Sequence, residues 1–228
     1  MKYDVILFDA AETLFTTRGT VGEIYFEVAQ RYGSQSSAAE IEDAFLRQFQ
    51  HSGPLHPENE KQWWRAIVHG VFSEVGMVPN FDRFFDEVYE QFRDDRGWRL
   101  FPETLAVLNE LRRAGYRLGV ISNFDSRIYS VLESLKILTL FDFITISSET
   151  GFAKPDPEIF QAAIQSAGVP AARILFVGDN LSNDVIPGIR AGMDSILIDR
   201  AGRARSPNPA KVIQNLQQIP NEILTEQS

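Results

Sequence analysis

The chain has 228 residues, 44% hydrophobic and 23% charged, with a formal net charge of −9, a globular composition with room for one large domain or two small ones. There is no cysteine, which excludes disulfides, thiolate metal sites and a thiol nucleophile. The acidic balance argues against nucleic acid as a partner, since the nearest thing to a basic stripe is the sparse set Arg200, Arg203 and Arg205, and the longest apolar runs are far too short to cross a bilayer.

In chain order, Met1-Lys2-Tyr3-Asp4 leads straight into the aliphatic run 5–8. No signal-peptide pattern precedes it, so a cytoplasmic protein is expected; a monomer is the default expectation. Three similar runs follow at 118–121, 174–177 and 196–198; β-branched and aliphatic runs of this length predict strands buried on both faces of a parallel sheet. Between the first and second runs lie roughly 100 residues with helical patterning at 21–32, 38–50, 60–75 and 81–93. Their separators are Gly33-Ser34-Gln35-Ser36, Ser52-Gly53-Pro54 and Val78-Pro79-Asn80. Further helices are predicted at 101–113, with Gly115 just past the end, and at 158–167, where Asp156-Pro157 has the form of an N-cap followed by Pro at the first helical position. Another is predicted at 183–191; residues 201–209 read as loop, with a short element near 212–216. This alternation predicts an α/β fold, a Rossmann-like doubly wound parallel sheet core with an inserted all-α helical cap. The expected division is a core of residues 1–15 and 98–228 and a cap of residues 16–97.

Sites in open α/β sheets form beyond the carboxyl ends of the strands. Three of the four runs end in polar residues there: Asp9, then Ser122-Asn123, then Gly178-Asp179. One such residue alone is usually a turn or cap, but three on neighbouring strands would meet in one crevice.

At these positions the chain resembles the haloacid dehalogenase-like hydrolases, and all four motifs of that superfamily can be located. The first matches Phe8-Asp9-Ala10-Ala11-Glu12-Thr13-Leu14, and the second Val120-Ile121-Ser122-Asn123. The third is Lys154 in Lys154-Pro155-Asp156-Pro157. The fourth is Val177-Gly178-Asp179-Asn180, with Asp184 five residues after Asp179. Order and spacing agree over nearly the whole chain. A narrower likeness is to the subfamily of haloacid dehalogenase-like hydrolase domain-containing protein 3, through the non-acidic Ala11, the Trp63-Trp64 pair and the run Ile121-Ser122-Asn123-Phe124-Asp125.

The resemblance implies a phosphatase acting on a small phosphorylated molecule. Asp9 would be the nucleophile and form an aspartyl-phosphate. Mg²⁺ would be held by Asp9, Asp179 and the carbonyl of Ala11, with Asp184 in support. Ser122 and the backbone amide of Asn123 would bind the phosphoryl oxygens, and Lys154 would neutralise their developing charge.

One position departs from the pattern. Phosphatases of this superfamily carry a second Asp two residues after the nucleophile, as acid and base, and here that position is Ala11. General acid–base catalysis is worth about 10²–10⁴-fold, so slow turnover is expected except with good leaving groups. Glu12 is one residue off and should point elsewhere. Phosphonoacetaldehyde hydrolase also has Ala here and uses a cap lysine as a Schiff base, which would fall to Lys61, although Glu58 and Glu60 beside it favour the charged ammonium. A non-catalytic binding protein with the same fold is the reading from another class. Dehalogenation fits worst, because it needs no metal. His51, His56 and His69 form no ligand cluster, and Phe81, Phe84, Phe85 and Phe92 make a packing stripe. Trp63 and Trp64 cannot both face one packing direction. Arg18, Arg65 and Arg93 are candidates for substrate contacts from the cap.

Overall fold

The computed structural model describes residues 1–52, 57–204 and 209–225; His56, Arg205 and the Gly53-Pro54 separator lie outside the described residues. In chain order the elements are β1 (Val5–Phe8), β2 (Phe15–Thr17), α1 (Val21–Arg31), α2 (Ala38–Gln50), α3 (Glu60–Val75), α4 (Phe81–Gln91), β3 (Trp98–Leu100), α5 (Thr104–Arg113), β4 (Arg117–Ser122), α6 (Arg127–Ser134), β5 (Phe143–Ile146), α7 (Ser147–Thr150), α8 (Pro157–Ala167), β6 (Ile174–Gly178), α9 (Ile186–Arg190), β7 (Asp194–Ile198), β8 (Lys211–Ile213) and α10 (Ile219–Thr225). Two compact units result. One comprises Met1–Thr16, Leu100–Phe124 and Lys136–Ser228, and the other Thr17–Arg99 with Asp125–Leu135.

The first unit is built on a six-stranded sheet of order β5-β4-β1-β6-β7-β8, parallel throughout. All four residues of β1 are buried, as the unbroken run Val5-Ile6-Leu7-Phe8 requires of a strand covered on both faces. Val5 and Leu7 share a core cluster with Ile121, Ile174 and Phe176 of the neighbouring strands and with Ile159, Phe160, Ala163 and Ala167 of α8. Burying each large side chain of that cluster contributes roughly 1.5–3 kcal/mol. Pro157 opens α8 as expected and Gly168 closes it in the left-handed conformation, but the Asp156 side chain makes no capping hydrogen bond.

Register places the site. Phe8 pairs with Val120 on one side and with Val177 on the other. The residues that follow these three strands therefore emerge at one edge of the sheet. Asp9 N–H donates to the Val177 carbonyl at 2.9 Å, which extends the ladder one residue past β1.

The second unit is helical. Thr20 with Glu23, and Ser37 with Glu40, form reciprocal capping boxes at the starts of α1 and α2. Its core is aromatic: Tyr25 packs edge-on against Phe45 and Phe92, and Phe72 against Phe84 at 4.6 Å between centroids. Phe84, Phe85 and Phe92 are buried, the packing stripe expected of that spacing. Every element among the described residues from 21 to 91 is helical.

The units part from the expected division at two kinds of place. Their boundaries fall after Thr16 and Arg99, one or two residues later than 15 and 97. More importantly, Asp125–Leu135 groups with the helical unit although it follows the second motif in sequence. The reason is a buried polar network. Asp125 and Arg127 form a close ion pair with side chains almost fully buried. Trp64 Nε1 donates to the same Asp125 carboxylate, Arg127 Nη1 donates to the Tyr89 carbonyl at 3.3 Å, and its guanidinium lies over the Tyr89 ring at 4.1 Å. Glu60 accepts from the Ser126 N–H at 2.9 Å and from its hydroxyl.

Candidate functional site

Asp9, Asp179 and Asp184 each direct a carboxylate oxygen to a common point, all within 4.8 Å of one another. Asp9 and Asp184 are buried, at 6% and 2% exposure. Lys154, 5% exposed, bridges them with its ammonium, 2.5 Å from Asp9 Oδ1 and 2.6 Å from Asp184 Oδ1. Ser122 Oγ stands 3.5 Å from Asp9 Oδ1, at the limit of a hydrogen bond. The structure thus brings together Asp9, Ser122, Lys154, Asp179 and Asp184 from four separate stretches of chain.

Local sequence explains each placement. Gly178 is required because a Cβ there would lie 2.5–2.7 Å from the Cβ, Cγ and Oδ2 of Asp184. Only glycine lets that carboxylate close onto the strand end. Asp184 sits in a π-helical turn, Leu181–Val185, rather than at the start of a regular helix as 183–191 suggested. Such turns recur at functional sites because the extra residue re-aims a side chain. The Asn180 side chain caps the turn by accepting from Ser182 and Asn183 N–H, while Asn180 N–H donates to Asp184 Oδ2 at 2.9 Å.

Asn123 has a role that its motif did not suggest. Its side-chain amide pairs with the backbone of Lys154 in both directions, Nδ2 donating to the carbonyl at 2.8 Å and Oδ1 accepting from the N–H at 2.7 Å. The third motif is thereby pinned to the second. Glu12, in contrast, turns outward: its carboxylate accepts from the exposed Thr16 hydroxyl at 2.6 Å. Its backbone is left-handed, with φ 61, which costs a non-glycine residue about 1 kcal/mol. Glu12→Gly is therefore expected to raise stability by about 0.5–1 kcal/mol in urea denaturation, the loss of an exposed hydrogen bond offsetting little of it. A destabilised variant would contradict this account of the turn.

Electrostatics are crowded. Burial drives the Asp9 carboxyl up to about 6; Lys154 pulls against this, and Asp184 adds to it. Asp179 is pushed up to about 7, first by burial and then by Asp9 and Asp184. Burial by itself would favour the neutral amine of Lys154, but the two carboxylates outweigh it and hold the ammonium above its usual range. Three carboxylates face one cation. Three carboxylate oxygens at one place are a set suited to a hard divalent cation, and the Ala11 carbonyl, two residues after Asp9, receives no hydrogen bond among the described residues.

The remaining candidates lie in the helical unit. Lys61 is ion-paired with Asp86 at 2.6 Å and lies over the Phe85 and Tyr89 rings, in an open groove of about 610 Å³. Its partner is Asp86 of α4, not Glu58 or Glu60, and Glu60 is engaged by Ser126. Trp63 and Trp64 are both half-buried and packed edge-on to each other, Trp63 edge-on against Phe49 and Trp64 stacked on it. Arg65 and Arg93 pair with Asp82 and Glu90, and Arg18 donates to the Asp95 carbonyl. His51 bonds the Arg47 carbonyl and His69 the Ser73 hydroxyl; neither belongs to the acidic cluster.

Comparison with known proteins agrees with this geometry. The family model for haloacid dehalogenase-like hydrolases matches residues 3–192. Haloacid dehalogenase-like hydrolase domain-containing protein 3 of Danio rerio is 30% identical over 227 residues, covering 94% of each chain; that of Mus musculus is 31% identical over 208 residues, covering 87% of this chain and 82% of its own. Among solved structures, the putative HAD-hydrolase YfnB of Bacillus subtilis, bound to magnesium, superposes with a TM-score of 0.79 at 17% identity, covering 98% of this chain and all of that one. The L-2-haloacid dehalogenase RSc1362 gives the same TM-score and coverage at 20% identity. At such identities these structures speak for the fold alone. A parallel sheet with Asp9, Ser122, Lys154 and Asp179 at its carboxyl edge, a helical unit after the first strand and a family match over most of the chain have one common explanation: the protein is a haloacid dehalogenase-like hydrolase of the domain-containing protein 3 subfamily.

Proposed function

We propose that this hydrolase is a Mg²⁺-dependent phosphatase for a small phosphorylated molecule whose leaving group departs with little need of a proton. The observation that carries the reading is the cluster of Asp9, Asp179 and Asp184 around one point with Lys154 bridging two of them. Magnesium bound in the fold-similar B. subtilis protein supports it.

Asp9 attacks phosphorus, the new O–P bond forming as the bond to the leaving oxygen breaks, and water then cleaves the aspartyl-phosphate. Bound Mg²⁺ would supply the charge cancellation that lets a carboxylate approach a phosphate anion. Ser122 and the backbone N–H of Asn123 hydrogen-bond the phosphoryl oxygens, and Lys154 offsets the charge that develops on them. Asp184 orients Lys154 through its ion pair. Ala11 offers no proton, and Glu12 is committed to Thr16. Turnover therefore falls on acyl and aryl phosphates, which leave as stable anions.

The test is a substrate panel with and without Mg²⁺ on the wild type and on Ala11→Asp. Wild type is expected to hydrolyse acetyl phosphate and p-nitrophenyl phosphate far faster than alkyl phosphates. Ala11→Asp should raise the alkyl rate by about 10-fold or more, because general acid–base assistance is worth about 10²–10⁴-fold. Chloride release from a 2-haloacid without Mg²⁺, and no phosphatase activity, would replace this reading with dehalogenation. A borohydride-trapped adduct at Lys61 with phosphonoacetaldehyde would replace it with phosphonate cleavage.

A further inference from the structure

Arg200 follows β7 and belongs to no motif, yet it grips the turn that carries the nucleophile. Its Nη2 donates to the Thr13 carbonyl at 2.8 Å and its Nε to the Glu12 carbonyl at 3.3 Å. Nη1 donates to Glu103 Oε1 at 2.7 Å, and the guanidinium carbon lies over Phe101, 3.4 Å from the ring centroid. All three guanidinium nitrogens donate, and a ring lies against the cation. A lysine ammonium, a point charge on a flexible stem, cannot reproduce that fork.

The anchor is itself fixed. Glu103 is 5% exposed. Burial pushes its carboxyl up, but Arg200 and the backbone amides of Glu103 and Leu216 outweigh burial and keep it ionised below its usual range. Two neighbours of Glu103 hold the far end of the same turn, Phe101 N–H and Thr104 Oγ1 both donating to the Leu14 carbonyl. At the near end the Ala10 carbonyl accepts from Leu14 N–H at 2.8 Å. From Ala10 to Leu14, then, four of five carbonyls are engaged, and Ala11's is the one left open among the described residues.

We propose that Arg200 is a positioning residue of the active site: by holding the Glu12 and Thr13 carbonyls it presets the Ala11 carbonyl and Asp9 for the divalent cation. This rests on the reading of Asp9 and Ala11 as metal ligands. The turn needs an outside clamp because Glu12 sits at φ 61, a conformation that a non-glycine residue leaves readily when unsupported.

Arg200→Lys keeps the charge and loses the fork. Calorimetric titration should show Mg²⁺ affinity falling about 10-fold or more, the usual range for residues that orient a ligand. At saturating Mg²⁺, kcat for acetyl phosphate should fall while KM stays within about 2-fold, since the groups that bind phosphate are untouched. Glu103→Gln, which loosens the anchor without altering Arg200, should give a smaller loss of the same kind, and it serves as the test if Arg200→Lys does not fold. A wild type that takes up no Mg²⁺ would sink the metal-ligand reading itself. Wild-type Mg²⁺ affinity and kcat in folded Arg200→Lys, or in Glu103→Gln where that variant must serve, would sink the role of Arg200 alone.

Discussion

Asp179→Asn should make the metal-free protein more heat-stable while abolishing its response to Mg²⁺. Both effects follow from the crowding of three carboxylates around one lysine. In the folded chain the Asp179 carboxyl is raised to about 7, whereas in the unfolded chain it titrates near its ordinary value of about 4. The folded state therefore holds a proton that the unfolded state has released. That contribution to stability is complete below about pH 4 and disappears as pH rises through about 7. Asparagine resembles the protonated form and carries no such loss. Asp179 is the most accessible of the three, so solvent screening reduces the gain to about 1–2 kcal/mol, or roughly 2–8 °C in melting temperature for a chain of this size. With EDTA present, the gap between variant and wild type should widen from pH 5 to pH 8. With Mg²⁺ present, wild type should be stabilised in proportion to the logarithm of its concentration, and the variant should not. Turnover should drop by about 10³-fold or more, because several kcal/mol of charge stabilisation go with the metal. A Mg²⁺-dependent melting shift that survives in Asp179→Asn would overturn the assignment of this carboxylate.

The largest loss of stability is expected from Asp125→Ala. Arg127 is only 7% exposed, and Asp125 is its sole carboxylate partner among the described residues. Removing Asp125 strands a buried guanidinium and leaves Trp64 Nε1 without its acceptor. Breaking a buried pair from one side costs about 3–5 kcal/mol, which lowers the melting temperature by roughly 6–20 °C. Asp125→Ala with Arg127→Met should recover much of this, because the double variant has no buried charge left to strand. A single variant within about 1 kcal/mol of wild type, measured by denaturant titration, would show that the pair is not what holds the 125–135 segment in the helical unit.

The residues of the candidate site were legible in the chain because the chemistry is concentrated in short motifs at strand ends, and a strand end is a place that sequence can locate. The strands read from sequence are β1, β4, β6 and β7, the four interior strands of the sheet. Covered on both faces, they must be apolar throughout, and that leaves a mark in the residues. The strands of that sheet not recognised as such, β5 and β8, are its two edges, and the three-residue strands β2 and β3, which pair with each other, are too short to mark the sequence. Burial of the two edges is partial, so Phe143-Ile144-Thr145-Ile146 and Lys211-Val212-Ile213 carry no such continuous signal. The helices of the cap were equally plain, two of them to the residue, because amphipathic periodicity and capping residues are local.

Contacts between residues far apart in sequence had no local sign. Nothing near Arg200 announces that it grips carbonyls 187 and 188 positions away, and Asp125 reads as the tail of the second motif although its partners place it in the helical unit. The clasp of Asn123 on Lys154 spans 31 residues and uses a side chain that the motif had assigned through its backbone. Glu12 was correctly expected to turn away from Ala11's place, since one residue of offset reverses direction, but its left-handed backbone and its bond to Thr16 emerge only from the closed turn. Sequence alone determined which chemical groups stand at the strand ends. Tertiary structure decided what holds them there, because a hydrogen bond or ion pair between distant residues leaves no periodicity for the chain to display.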